Sequence, residues 1–162
     1  MEKQIYDAYV SILREELVPA MGCTEPISLA YAAALARQTL GTLPDKVQVT
    51  VSANIIKNAK SVVVPHTGNL RGIAAAAAAG IVCGDADRQL EVLAQVKEED
   101  YPRIGDFLAS VPITVIQAEN AFVFDIRVRL FAGESTSYVR IAGNHVNVIR
   151  IEKDGQVLAD RE

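Results

Sequence analysis

The sequence is poor in the residues that anchor several protein classes. It has no tryptophan, only 6% aromatic residues and two cysteines in 162 positions. Two cysteines cannot make a disulfide framework, so they read as reduced thiols of a cytoplasmic protein. Basic residues are outnumbered, 16 Lys and Arg against 20 Asp and Glu, giving a net charge of −4. That balance leaves no cationic footprint for nucleic acid. The amino terminus, Met1-Glu2-Lys3-Gln4, has no signal-peptide core. The longest apolar run, Ile73 to Cys83, is mostly Ala and Gly and about half the ~20 residues of a membrane span. Half of all residues are nonetheless hydrophobic. A chain of this length suits one compact domain over residues 1–162.

Hydrophobic spacing organises the chain. Ile5, Tyr9, Ile12, Leu13 and Leu17 share one stripe, which predicts a surface helix over 2–17 ended by Pro19. Pro26 suits the first turn of a second helix, with Thr24 or Glu25 near its cap and Gly41 past its end. Val47, Val49 and Val51 alternate with polar residues as a half-buried strand. A short helix is expected over 54–60, and another over 70–82 around the alanines Ala74 to Ala79. Residues 87–97 and 98–109 read as two further helices, the second interrupted by Pro102 and Gly105. The rest reads as strands at 112–117, 124–130, 135–142 and 145–152. Gly133-Glu134 and Gly143-Asn144 are plausible two-residue hairpin loops. The tail from Asp154 to Glu162 reads as a frayed terminus or a cut in a longer chain. Helices with one early strand, followed by a strand meander, predict an α+β fold. Its sheet would be mixed or mostly antiparallel, with helices packed on one face.

Several segments place reactive groups where backbone is exposed. Gly22-Cys23-Thr24-Glu25-Pro26 brings a thiol, a hydroxyl and a carboxylate to a helix start, where N–H groups favour a thiolate or an anionic ligand. The same pattern is also what helix punctuation with a small buried Cys23 would look like. Asn54, Lys57 and Asn58 follow a strand end, and Pro65-His66-Thr67-Gly68-Asn69 precedes the alanine helix; either is a ligand-facing loop or a solvated turn. His145 and Asn147 share a face of the last expected strand, and Cys83 reads as core. Near Cys23 there is no second Cys or His at metal-ligand spacing.

Together, Glu15 to Pro26, Val51 to Ala59 and His145 to Gly155 resemble the amino-terminal part of the L-cysteine desulfidase family, which is related to iron–sulfur-dependent L-serine dehydratases. The likeness runs in order along nearly the whole chain, and Gly-Cys-Thr-Glu-Pro is its most specific element. The family usually has glycine at the position of His66, and threonine is common at Val146. The resemblance implies a [4Fe–4S] lyase acting on a small amino acid: L-cysteine to pyruvate, ammonia and sulfide, or L-serine to pyruvate and ammonia. It implies that Cys23 is a cluster ligand. Thr24, Glu25, Asn54, Lys57, His66, Thr67 and His145 would be the substrate-binding candidates. Family members are much longer, and their other cluster cysteines lie in the carboxyl-terminal half. The expectation is therefore an amino-terminal domain or subunit, completed by a carboxyl-terminal catalytic half or second subunit. Alone it would be inactive, hold no stable cluster, and expose an apolar patch through which it could form a homo-oligomer. Two rival readings are a non-catalytic module that binds a small amino acid for regulation, and a thiol redox protein using Cys23.

Overall fold

The computed structural model describes residues 24–119 and 121–162. The expected helix over 2–17 and the Gly22-Cys23 pair lie outside them. Helix α1 (Thr24–Leu40) opens with Pro26 in its first turn and stops before Gly41, whose φ of 86° ends it. Strand β1 (Lys46–Val51) runs directly into α2 (Ala53–Ala59). A loop leads to α3 (Ile73–Cys83). Two 3₁₀ segments, Ala86–Glu91 and Glu98–Asp100, lead to α4 (Tyr101–Ser110). Five strands follow: β2 (Ile113–Gln117), β3 (Asp125–Ala132), β4 (Ser135–Ala142), β5 (Val148–Lys153) and β6 (Gln156–Asp160).

The six strands form one mixed sheet in the order β2-β1-β3-β4-β5-β6. β1 and β2 pair in parallel, and every other neighbouring pair is antiparallel. Val47, Val49 and Val51 of β1, Ile126, Val128 and Leu130 of β3, and Val139 and Ile141 of β4 are fully buried. The alternate positions on β3 and β4, Arg127, Arg129, Tyr138 and Arg140, are not. α1 packs on β3 and β4, and α3 packs on α1. The α+β architecture with helices on one sheet face is therefore as expected. No helix of the described residues is long and apolar enough to cross a membrane.

Four local expectations change. The alanine helix starts at Ile73 rather than 70. Val63 bridges Arg71, and the Gly72 amide donates to the Val62 carbonyl, so residues 70–72 form the return arm of a small hairpin. Residues 87–97 are not an α-helix: Gln89, at φ 52°, breaks the 3₁₀ segment. Pro102 starts α4 instead of interrupting it, because a proline in the first turn forfeits no helical bond. Gly105 lies inside the same helix. The polar tail holds a strand: β6 turns back at Asp154-Gly155 (φ 52° and 80°) and pairs with β5.

The β4–β5 connection also differs. It spans 143–147, because Asn144 accepts a bond from the Val146 amide and the Asn147 side chain donates to the Ala142 carbonyl. His145 therefore stands in this loop, not on a strand face.

Candidate functional site

The alanine run of α3 decides the site's geometry. A methyl group on Gly80 would collide with the backbone carbonyl of Ala30 on α1, and one on Gly84 would come within 2.9 Å of the Ala34 Cβ. Each contact is one turn further along both helices in the same direction, so α1 and α3 run parallel at close approach. Carried back at the same offset, Thr24 lies level with the first turn of α3. The start of α3, which has no side-chain cap and carries the partial positive charge of a helix N-terminus, thus lies beside the first described turn of α1.

Thr24 is 1% exposed, and its Oγ1 has no hydrogen-bond partner among the described residues. A buried orphan hydroxyl costs about 1–3 kcal/mol, so it calls for an explanation. Glu25, half-buried, occupies the first turn of α1. α3 begins at Gly72 (φ 95°) with no side-chain cap. A Cβ on Gly72 would lie 2.9 Å from the Lys60 carbonyl, so this entry needs glycine.

Other predicted residues reach the same end. Ser28, one turn after Thr24, donates its hydroxyl to the His145 carbonyl at 2.6 Å. The His145 ring meets Phe124 edge-on, with centroids 4.7 Å apart. Ser52, at the end of β1, donates to the Val123 carbonyl at 2.7 Å and fixes the neighbouring 121–124 loop. Asn54 then lines a cavity of about 400 Å³ with Ala118, Phe122 and Val123. Lys57 is exposed in the last turn of α2, and α1 packs against α2.

The segment carrying His66 and Thr67 is the tip of the hairpin that leads into α3. Thr67 is 2% exposed and donates its hydroxyl to the Val64 carbonyl at 2.7 Å. Its proton is thereby used, and only its lone pairs remain for a ligand. His66 is exposed at φ 61°. Gly68 packs so close to the Tyr101 ring that a Cβ would come within 2.7 Å. The tip is thus pinned at both Thr67 and Gly68.

The donor set for a cluster is a separate matter. Among the described residues no three His, Cys, Asp or Glu side chains assemble as a metal-holding group. Cys83 does not fit such a role. It ends α3, at the far end from Thr24, and burial pushes its thiol up, aided by Asp100 and opposed by Arg103. Cys23 precedes the first described residue.

Sequence reasoning missed a charged network on the open sheet face. Asp125 is fully buried, and its carboxylate accepts two bonds from Arg127, at 3.2 Å each, and two from Arg140, at 3.1 and 2.8 Å. Burial pushes the Asp125 carboxyl up, but the hydrogen bonds from Arg140 and Arg127 outweigh it and hold the group below the usual range. The alternating Asp125, Arg127 and Arg129 are visible in sequence. Arg140 joins them only through the β3–β4 register, which sets Arg127 opposite Arg140.

Comparison with known proteins gives relatives over almost the whole chain. A UPF0597 protein of Desulfitobacterium hafniense is 49% identical over 160 residues, covering 98% of this chain and 37% of the relative. A UPF0597 protein of Lachnoclostridium phytofermentans is 48% identical over 158 residues, with 98% and 38% covered. One of Treponema denticola is 39% identical over 161 residues, with 99% and 37% covered. No family model matches the chain. Its homologues are thus UPF0597 proteins, and it spans a little over a third of the length of the curated relatives it matches.

Proposed function

We propose that this chain is the substrate-binding portion of a longer [4Fe–4S]-dependent lyase that eliminates the β-substituent of a small amino acid. L-cysteine would give pyruvate, ammonia and sulfide; L-serine would give pyruvate and ammonia. The observation that carries this reading is the start of α3 lying beside Thr24, whose hydroxyl is buried and has no partner among the described residues. An amino-acid carboxylate fits there. It can take N–H groups from the first turn of α3 and the proton of Thr24 Oγ1. Lys57 and the Asn54 amide supply further donors at the neighbouring strand end. The ammonium group needs acceptors, and Thr67 Oγ1 retains lone pairs for it, with Glu25 supplying negative charge. His145 closes the side of the site through Ser28.

In this reading the cluster belongs to the complete enzyme, with Cys23 as one ligand and the other ligands beyond the described residues. The cofactor assignment rests on the sequence resemblance at Cys23. The fractional coverage of the relatives agrees with a catalytic remainder elsewhere in the polypeptide or in a second subunit.

The test is to prepare the longer protein containing this chain anaerobically, reconstitute it with iron and sulfide, and assay pyruvate from L-cysteine and from L-serine. Pyruvate from either is the expected result, with none from the 162-residue chain alone. A reconstituted full-length protein that releases no pyruvate from either substrate overturns the lyase reading. If the lone chain then binds either amino acid with micromolar affinity by calorimetry, a regulatory binding module takes its place.

A further inference from the structure

The face of the sheet turned away from the helices carries a second concavity. Along β4, Val139 and Ile141 are buried toward α1, so Tyr138 and Arg140 project to the other side. Beside the β4–β5 loop this face forms a groove of about 460 Å³. Phe122, Arg140, Arg161 and Glu162 wall it, over a floor that includes Ala142 and Ile149. The volume is in the range of small-ligand pockets.

Arg140 is held rigidly there. Its Nε and Nη2 are spent on the buried Asp125, which also accepts a bond from the Phe122 amide at 3.2 Å. The remaining Nη1 meets the Glu162 carboxylate at 3.0 Å, and the other Glu162 oxygen lies 3.7 Å from Arg150. The Phe122 ring stands 5.6 Å from the Arg140 guanidinium carbon. One buried carboxylate thus holds two guanidinium groups, Arg127 and Arg140, which leaves a net positive charge facing the groove. Glu162, about one-third exposed, neutralises it from the solvent side. Arg161, exposed, adds a second cation on the wall.

We propose that this groove binds a small monocarboxylate, which displaces the Glu162 carboxylate from Arg140. The ligand's second oxygen is taken by Arg161, and its apolar body lies between the Phe122 ring and the Ala142–Ile149 floor. The Glu162 side chain shows the chemistry the site accepts, because a carboxylate already sits on the free edge of Arg140. A fixed guanidinium gives a two-oxygen acceptor a defined geometry. The groove shares Phe122 with the Asn54 cavity, but the groups that would hold the carboxylate, Arg140 and Arg161, have no part in the lyase reading, so the proposal stands independently of it.

The probes are acetate and butyrate, titrated into the ¹⁵N-labelled chain against sodium chloride at matched ionic strength. The Arg140 Nε–H and Asn147 side-chain amide signals should shift saturably with both carboxylates and not with chloride. Butyrate should bind about tenfold tighter than acetate, from two more buried methylenes, and Phe122→Ala should erase that preference. Glu162→Gln removes the internal competitor and should tighten butyrate by about tenfold; Arg161→Gln, at an exposed position, should weaken it by a similar factor. Shifts that chloride reproduces, or a Glu162→Gln variant that binds no tighter, overturn the proposal.

Discussion

Gly80 on α3 lies against the backbone carbonyl of Ala30 on α1 with no room for a methyl group between them. Together with the Gly84–Ala34 contact one turn further on, this contact sets the two helices parallel at close approach. Gly80→Ala should therefore cost about 3 kcal/mol, because backbone rather than a movable side chain must yield. Gly105→Ala, in α4 with open space around it, should instead stabilise by about 0.5–1 kcal/mol. Urea midpoints of the two variants should move in opposite directions.

Asp125 and its two arginines predict an acid dependence. The folded carboxyl is held below its ordinary value of 3.8, so the stability it contributes is fully present above that value. It is lost as pH falls through the lower folded value. Asp125→Asn should cost about 3 kcal/mol at neutral pH, since two guanidinium groups lose their buried partner. The gap between wild type and variant should narrow below about pH 4. Urea denaturation across that range measures it.

Thr24 predicts a trade between stability and binding. Valine has the same shape without the hydroxyl, so Thr24→Val removes a buried group that has no partner among the described residues. The variant should be at least as stable as wild type by thermal melting. In the longer enzyme it should raise the KM for the amino acid about tenfold, the loss of one charge-assisted bond. A destabilised variant would show that the hydroxyl already has a partner.

Cys83 should be a slow thiol. Burial raises its pKa, with Asp100 adding to the effect and Arg103 opposing it. Peptide mapping after brief alkylation at neutral pH should find Cys83 labelled more slowly than glutathione in the same tube. Faster labelling would place it in an electropositive, accessible setting instead.

Much of this was legible in the sequence. Pro26 and Gly41 bracket α1, and the Val47-Val49-Val51 alternation marks a strand with one buried face. The candidates Thr24, Asn54 and His145 do gather at one end, but their meeting depends on the parallel packing of α1 and α3, which no local pattern encodes. His145 left its expected strand because Asn144 and Asn147 bond to nearby backbone and fold the loop. β6 was hidden for a different reason. An edge strand with Gln156, Val157, Leu158 and Asp160 exposed has no buried face to impose an alternating pattern. The Arg140 groove is a product of register: Asp125, Arg140 and Glu162 lie far apart in sequence and meet only through strand pairing.

The parallel β1–β2 pair has a consequence for how the chain folds. Strands β3 to β6 are joined by short turns, so their pairing closes small loops. β1 and β2 can pair only after the intervening 52–112 segment, with α2, α3 and α4, has been brought into place. Loop-closure entropy makes that the late step. Pulse-labelled hydrogen exchange during refolding should show β3 and β4 amides protected before those of β2. A nascent polypeptide would then carry its helical crossover unsealed until the meander behind it had emerged.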